Sequence, residues 1–371
     1  MPKTISITPS WYWPEGIPRV LGIPPYNLAE MLVGRWARRP PDHPLLATGA
    51  EGIGAGELAE RVGAIAQAIE AAVPPGGRVR IEAGASAEGA VVVLGALASG
   101  RPARLVPSTG SASWEPVSDA PVESSTSLGA TCLREPAALV PGRTGPVWHS
   151  QRSLLAGALA FRGFLGAGGG DVWLSTFSPA SWQGLCGLGA ALVGGDTVVL
   201  AEPGDDAPEA DAAWSPAWVL TSMPDALASW QRRRRKGDGG GRAVLLFVEG
   251  PFEPDERRAA GRAVGGVALS VFGLGETGPV FASHPSWYLD EAVGLPVTNM
   301  HVVPGDPDTA EPINTLWELV DEAMVTVWSP SLAVGHEEGS GLRRVGRQVV
   351  TGVLAASDPN GMLYLTDERI T

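Results

Sequence analysis

The chain has 371 residues, of which 44% are hydrophobic and 18% are charged. This length and composition allow two or three domains, or one large layered α/β domain with a smaller lobe, and they argue against wholesale disorder. The formal net charge of −13 is opposite in sign to that of a general nucleic-acid binder, so we expect no nucleic-acid partner.

Cysteine usage and the lack of targeting signals indicate a cytoplasmic protein. The two cysteines, Cys132 and Cys186, have no metal-ligand spacing and fit a reducing compartment. Residues 1–13 lack the basic and apolar regions of a signal peptide. The longest apolar run, residues 184–195, is glycine-rich and too short to cross a bilayer, so we expect no membrane span.

Helices and strands alternate in the first part of the chain. Asn27 caps a predicted helix over residues 28–39, and a strongly amphipathic helix follows over residues 56–73. A strand, a helix and a second strand come next, and this order forms a βαβ unit, which requires a parallel sheet. These three elements cover residues 77–83, 86–100 and 102–108.

The middle of the chain continues the alternation after one interruption. Residues 108–127 are rich in serine and proline and are predicted to form a surface loop or linker. A strand at residues 137–140 then leads into a glycine-containing loop, and a helix follows over residues 153–166. After about Val293 the helical pattern ends, which predicts a mostly β lobe. Between these points, strands are predicted at residues 171–178, 197–202, 243–250 and 267–278, helices at 184–195 and 255–266, and a strand followed by a helix at 217–235.

Residues 149–158 read HSQRSLLAGA, residues 271–280 read VFGLGETGPV, and residues 349–371 form the last stretch of the sequence. In their order along the chain, these and other stretches resemble the large N-terminal portion of the acyl-adenylate-forming enzymes, a group that includes acyl-CoA synthetases, nonribosomal adenylation domains and luciferases. Residues 271–280 are similar to the aromatic-Gly-x-Thr-Glu signature that meets adenine and magnesium in that group. Residues 149–158, HSQRSLLAGA, resemble the helix after the phosphate loop, and residues 349–371 resemble the ribose-contact stretch and the hinge. The N-terminal arm, residues 13–25, is most similar to fatty acyl- and aryl-CoA ligases. Further matches lie at residues 77–107, 172–200, 293–297 and 327–338.

The resemblance implies an α/β fold of this N-terminal type, with two αβαβα subdomains and a smaller C-terminal β lobe. We assign residues 1–140 to the first subdomain, 141–292 to the second, and 293–371 to the β-rich lobe, which ends at the hinge. The family's small C-terminal domain, with its catalytic lysine, is then expected to be absent from this sequence. A ligand pocket is expected between the subdomains, near strand ends.

The loop that should hold phosphate departs from the family pattern. Val140 and Pro141 stand where the family has hydroxyl residues, and the family's lysine is missing before Val147. Phosphate loops work through backbone N–H groups, small hydroxyls and a cation, and neither Pro141 nor Pro146 supplies an N–H donor. Arg143 is an imperfect substitute for the lysine. By resemblance, ATP and Mg²⁺ contacts fall on Gly142, Arg143, Thr144, Gly145, Phe272, Gly273, Glu276 and Thr277. The alternative is an ordinary glycine-containing connection.

Three further positions bear on nucleotide chemistry. Val353 stands where the family has an aspartate that accepts hydrogen bonds from ribose, and a buried hydroxyl without its acceptor costs about 1–3 kcal/mol. Glu276 keeps the carboxylate that would hold Mg²⁺, and its alternative role is to cap a turn or helix. His149 and Glu276 are the catalytic candidates, although a structural hydrogen-bonding role suits His149 better than a role as general base.

The resemblance places an acyl or aryl pocket around residues 172–200. Trp182 falls near a position where the family has a gating histidine or aromatic residue, and plain core packing is the alternative. The basic run 232–236 is either a solvated loop cluster or a docking patch for an acidic acyl carrier protein. The candidate pocket residues are Ser181, Trp182, Gly184, Gly250 and Gly273.

Three functions compete. The preferred hypothesis is an acyl-CoA-synthetase-like protein with an impaired nucleotide site, which binds or transforms an acyl or aryl group already activated on CoA or on a carrier, in specialised biosynthesis. The second is a genuine ligase that forms acyl-AMP with ATP and Mg²⁺, using Arg143 and Glu276. The third is a non-catalytic binding or scaffold protein. An impaired site makes ATP and Mg²⁺ doubtful as cofactors.

Overall fold

The structure is a computed structural model. It describes residues 13–117, 135–204, 206–230, 242–313, 317, 321–338, 341–346, 348–359 and 361–368. The helices in these ranges are α1 (Leu28–Trp36), α2 (Ala55–Ala72), α3 (Ala87–Ala98), α4 (Gln151–Leu165), α5 (Trp182–Leu192), α6 (Asp206–Trp214), α7 (Met223–Trp230) and α8 (Pro254–Val264).

Twenty strands accompany them in the described residues. The first ten are β1 (Pro44–Thr48), β2 (Glu51–Gly54), β3 (Arg78–Ala83), β4 (Ala103–Pro107), β5 (Ser113–Val117), β6 (Pro136–Val140), β7 (Val147–Ser150), β8 (Val172–Ser175), β9 (Thr197–Leu200) and β10 (Trp218–Ser222). The others are β11 (Ala243–Val248), β12 (Val267–Leu274), β13 (Gly278–Ala282), β14 (Leu295–Pro296), β15 (His301–Gly305), β16 (Ala323–Trp328), β17 (Gly335–Glu338), β18 (Gly341–Arg344), β19 (Val349–Ser357) and β20 (Leu363–Glu368).

Local sequence signals explain where the helices begin. Asn27 and Glu30 form a capping box at α1, because each side chain accepts the other residue's backbone N–H. Ser86 caps α3 by accepting the N–H of Gly89, and Ser150 forms a capping box with Ser153 at α4. The predicted helices over residues 28–39, 56–73, 86–100 and 153–166 are therefore confirmed, with ends that shift by at most three residues.

The largest sheet has nine strands in the order β14-β13-β12-β11-β10-β8-β9-β1-β2. Its central strands from β12 to β1 are parallel and are connected by helices. The chain leaves β8 in one direction to form β9 and then returns to the other side of β8 to form β10. Open α/β sheets place ligands at such reversals, beyond the carboxyl ends of the strands.

A second sheet has seven strands in the order β18-β17-β7-β6-β4-β3-β5. Strands β3, β4 and β6 are parallel, which confirms the predicted βαβ unit. Strand β5 corrects the prediction of a loop over residues 108–127. Its residues 113–117 pair antiparallel with β3 at the edge of the sheet. Pro116 has no N–H to donate to a neighbouring strand, and an edge strand tolerates this. Residues 108–112 of that predicted loop contain no helix or strand, as predicted, and residues 118–127 lie outside the described residues.

The third sheet has four antiparallel strands in the order β15-β16-β19-β20, as expected for a β-rich region after Val293. The three sheets do not follow the chain in simple blocks. Strands β1 and β2, at residues 44–54, lie in the nine-stranded sheet, and β17 and β18, at residues 335–344, lie in the seven-stranded sheet. The division at residues 140 and 292 stays a prediction.

One hydrophobic core runs through all three sheets. It is continuous from Val79 in β3 through Val219 in β10 to Val325 in β16, all fully buried. Contiguous apolar contacts of this kind hold the sheets in one arrangement. The loops at the ends of β6, β8 and β12 therefore meet on a rigid frame, and this frame carries the candidate site.

Candidate functional site

The loop between β6 and β7, residues 141–146, lies directly against the turn between β12 and β13, residues 275–277. The contact is made by backbone, because a Cβ atom on Gly275 would lie 2.2 Å from the carbonyl oxygen of Pro141 and 2.7 Å from Cα of Gly142. Neither backbone can yield to a side chain without breaking its hairpin. Glycine at position 275, where the resembled family has a hydroxyl residue, is what permits this closure.

Glu276 joins the two hairpins. Its side chain is 3% exposed, and Oε1 accepts hydrogen bonds from the backbone N–H of Arg143 at 2.8 Å and of Thr144 at 3.3 Å. A Cβ atom on Gly142 would lie 2.7 Å from that oxygen, so glycine at 142 is also needed for the approach. Hydrogen bonds to an ionised acceptor are about twice as strong as neutral ones. The carboxylate thus occupies the donors that a phosphate would need.

The remaining groups of the loop are held within the protein. The N–H of Gly142 donates to the carbonyl of Gly145 at 3.1 Å, and Glu337 of β17 donates its N–H to the carbonyl of Pro146 at 3.0 Å. The Arg143 guanidinium reaches across to the third sheet, where Nη1 donates to the carbonyl of Thr351 at 3.3 Å. The loop is therefore braced from three sides.

The polar groups of the turn at Glu276 also have hydrogen-bond partners within the protein, with one exception. Thr277 is fully buried, and its hydroxyl donates to the carbonyl of Gly278 at 2.8 Å. Ala333 and Ser331 donate to the carbonyls of Glu276 and Thr277, at 2.8 and 3.0 Å. Glu276 Oε2 is the exception, since it is buried and has no hydrogen-bond partner among the described residues.

His149 at the end of β7 supports the same turn. Its Nε2 lies 2.6 Å from the carbonyl oxygen of Gly275, so Nε2 carries the proton and donates it, and Nδ1 lies 3.2 Å from the hydroxyl of Ser153. Complete burial lowers the pKa of His149 below its usual value, which keeps the imidazole neutral. Both ring nitrogens are engaged inside the protein, as expected for a structural histidine.

The residues that would contact adenine and ribose lie in the core. Phe272 is fully buried and stacks on Phe281 with ring centroids 6.0 Å apart. Gly273 beside it is needed because a Cβ there would lie 2.3 Å from the carbonyl oxygen of Gly278. Val353 in β19 is also fully buried and packs within the main core. The Phe272 ring and the Val353 side chain are thus packed inside the protein.

A small cavity of about 30 Å³ lies next to the turn, between α4 and α5. Trp182 forms part of its wall and makes an edge contact with Phe247, at 5.6 Å between ring centroids. Ser181 does not line the cavity; it caps α5 by accepting the N–H of Gly184 at 3.1 Å. Gly250 lies in the loop after β11 and does not line it either. Gly184 is tightly packed, since a Cβ there would lie 2.0 Å from the carbonyl oxygen of Ser178.

Sequence reasoning missed most of the cavity lining. Ser153 and Gly157 on α4, and Cys186 on α5, contribute to the wall together with Ser331. Burial raises the pKa of the Cys186 thiol to about 12, so it stays protonated. Helical spacing is the signal that could have found these residues. Residues four apart share one face of a helix, as Ser153 and Gly157 do on α4 and Trp182 and Cys186 do on α5.

In this structure the loop N–H groups of Arg143 and Thr144 donate to the Glu276 carboxylate. The described residues contain no group of three or more His, Cys, Asp or Glu that could hold a metal ion. The basic run 232–236 lies outside the described residues, so its proposed role in carrier docking stays a prediction.

No protein-family profile and no curated protein matches the sequence. Solved structures do match it. Coronafacic acid ligase from Pectobacterium brasiliense is 14% identical with a TM-score of 0.72, over 92% of this chain and 78% of that one. The anthranilate CoA ligase AuaEII, in complex with anthranoyl-AMP, is 15% identical with a TM-score of 0.73, over 94% and 78%. O-succinylbenzoate CoA synthetase from Bacillus subtilis is 15% identical with a TM-score of 0.71, over 92% and 79%.

This chain has the fold of the acyl- and aryl-CoA ligases. The match confirms the expected α/β fold of the adenylate-forming N-terminal type, including its smaller C-terminal β region. At these identities the likeness establishes the fold and leaves the chemistry to the site residues. In the described residues, no helix has both the length and the apolar character that crossing a membrane requires.

Proposed function

We propose that this protein uses the acyl-ligase fold without ATP-dependent adenylation, and that it binds an acyl or aryl group that arrives already activated, on CoA or on a carrier protein. The closed contact between the loop 141–146 and the turn 275–277 carries this proposal. A ligase must admit a triphosphate between two such elements, and here backbone atoms and the Glu276 carboxylate fill that space.

The acyl side of the site is different in kind. The cavity between α4 and α5 has a largely apolar wall, which suits an acyl or aryl group. Its volume of about 30 Å³ corresponds to one or two water molecules, so the group enters only if the wall opens. Trp182 is half-buried at that wall and is the side chain whose movement would open it. Within a dry pocket of this kind, the protein's contribution is to orient the bound group.

The same small volume favours a second candidate, a non-catalytic protein that holds a partner. Drug-sized ligands occupy pockets of about 300–1,000 Å³, and a cavity one-tenth of that size supports binding only after rearrangement. The catalytic candidates also point this way, because His149 has both ring nitrogens engaged within the protein and one oxygen of Glu276 binds the loop.

Pyrophosphate exchange tests the main proposal against a genuine ligase. The purified protein would be given ATP, Mg²⁺, labelled pyrophosphate and a panel of aliphatic and aromatic acids, with the wild type compared with Glu276→Ala. We expect no exchange above background for either protein. Robust exchange in the wild type that disappears in Glu276→Ala would establish an adenylating enzyme and overturn the proposal.

Thermal-shift screening separates acyl binding from the scaffold function. A ligand present at about 100 times its Kd stabilises the folded state by about 2.7 kcal/mol, which is easily measured. We expect a shift with one or more acyl or aryl thioesters and none with ATP. If no acyl or aryl compound shifts the melting temperature, only the scaffold function is left.

A further inference from the structure

We propose that the loop 141–146 is an anion-binding site whose resident anion is the carboxylate of Glu276, and that this carboxylate is a built-in competitor which keeps phosphate-type anions out. This inference rests on the proposed function, because it assumes that the loop holds no nucleotide in the native protein. It assigns Glu276 a role opposite to that of a metal ligand: its removal should create anion binding at the loop.

The geometry of the loop is that of an anion site. Consecutive backbone N–H groups of Arg143 and Thr144 point at one carboxylate oxygen, at 2.8 and 3.3 Å. Consecutive amides aimed at a single point form a concave site for anions. Gly142 lacks a side chain where a Cβ would lie 2.7 Å from the bound oxygen, so the backbone approaches the anion closely. The Arg143 side chain adds a cation on the same loop.

The carboxylate is an incomplete occupant of this site. Glu276 is 97% buried, and its second oxygen, Oε2, has no hydrogen-bond partner among the described residues. A buried acceptor without a donor is unfavourable, so Glu276 binds the loop less tightly than it would if both carboxylate oxygens accepted hydrogen bonds. A tetrahedral oxyanion, with more acceptor oxygens and more charge, is the ligand class that these donors suit best.

Solvent can reach the loop from outside. Pro141 and Thr144 are exposed, so an anion does not have to cross the core to arrive. The obstacle is the carboxylate, both by its volume and by its charge. Two like charges at contact distance repel strongly where the surroundings are partly buried. Phosphate binding is therefore controlled by a single side chain.

Titration of the folded protein with inorganic phosphate tests the inference. Backbone amide shifts of Arg143 and Thr144 in ¹⁵N spectra would report binding at the loop itself. In the wild type we expect no saturable shifts. In Glu276→Ala we expect saturable shifts, with an affinity for phosphate at least about tenfold above the upper limit that the wild-type titration sets, equivalent to 1.4 kcal/mol. Adding Arg143→Ala to Glu276→Ala should reduce the gained affinity.

A matched control and a second variant keep the experiment decisive. Glu202 also binds a backbone N–H, that of Ala85 at 2.7 Å, so Glu202→Ala removes a comparable carboxylate and should leave the loop without phosphate binding. Glu276→Gln keeps the side-chain shape and replaces the charge by an amide, so it decides the question if Glu276→Ala does not fold. We expect it to bind phosphate more tightly than the wild type.

The inference is overturned if the folded Glu276 variants bind phosphate no more tightly than the wild type. That outcome would leave the absence of adenylation intact. Conversely, pyrophosphate exchange in the wild type would overturn the proposed function directly, whatever phosphate does in the variants. The two failures are therefore distinguishable.

Discussion

The two sides of the candidate site differ in how they are filled, because one is closed by backbone contact and hydrogen bonds and the other contains a small cavity. On the phosphate side, loop 141–146 and turn 275–277 are in backbone contact, and Glu276 binds the loop's N–H groups. On the acyl side, α4 and α5 leave a cavity of about 30 Å³ beside Trp182. The difference teaches that one half of a ligand site can close on itself while the other half keeps unfilled space.

The largest expected effect is on the closed side, at the buried ion pair between Glu337 and Arg78. Glu337 in β17 lies 3.1 Å from Arg78 in β3, with side chains 13% and 7% exposed, and its N–H holds the carbonyl of Pro146. Glu337→Ala removes the carboxylate from a buried guanidinium and should lower the free energy of unfolding by about 3–5 kcal/mol. Urea denaturation measures the loss, and the control is Glu57→Ala, which removes an exposed carboxylate that pairs with Arg61 in α2. A loss below 1 kcal/mol would contradict the dependence of the buried Arg78 guanidinium on the Glu337 carboxylate.

The next effect tests the backbone contact itself. Gly275→Ala places a methyl group 2.2 Å from the carbonyl oxygen of Pro141, and overpacking of this kind should cost about 1–3 kcal/mol. Gly63→Ala in α2 is the matched control, because nothing lies within 4 Å of its Cβ position. That control should be neutral or stabilising by up to about 1 kcal/mol. Equal stabilities for the two variants would contradict the closed arrangement.

The third prediction enlarges the acyl side. Trp182→Ala should cost about 2 kcal/mol, since the indole is half-buried, and should extend the cavity toward Phe247. An apolar cavity of about 150 Å³ binds benzene, so the variant should gain saturable benzene binding that the wild type lacks. Trp214→Ala, which removes a half-buried indole that does not line the cavity, should lose stability without this gain. Benzene binding by both variants, or by neither, would argue against a pocket at α5.

The smallest effect is a pH dependence at His149. Because burial lowers its folded pKa below the unfolded value of about 6.5, the unfolded state binds a proton more readily. Stability from the neutral imidazole is therefore present above pH 6.5 and falls as the pH drops below it, by at most about 1.4 kcal/mol per pH unit. The free energy of unfolding, measured by urea denaturation at pH 7.5, 6.5 and 5.5, should change less with pH in His149→Asn than in the wild type. An equal pH dependence in the two proteins would show that folding leaves the pKa of His149 unshifted.

Much of the fold could be predicted because its signals are local. Periodic apolar residues and Asn27, Ser86 or Ser150 at helix starts identify α1 to α4 without knowledge of the neighbours. Strand β5 could not be predicted, because serine and proline favour a loop locally and only pairing with β3 makes residues 113–117 extended.

The candidate site could be predicted as a set of residues but not as an arrangement. The missing lysine, the two prolines of the loop and Val353 are visible in the sequence and predict a weakened nucleotide site, which stays a prediction. The sequence does not show that Glu276 turns toward the loop rather than toward a ligand. That depends on hydrogen bonds between residues 133 positions apart in the chain.

The sequence by itself determined which elements form and where the loop departs from the phosphate loop that it resembles, since propensity, caps and side-chain chemistry act over a few residues. The tertiary structure alone decided which groups meet around that loop. Gly275 and Gly142 let two distant hairpins approach to backbone contact, and the buried carboxylate then had no nearer donors than the amides of Arg143 and Thr144. A buried charge must be paired or hydrogen-bonded, and which partners it finds is settled by packing in space.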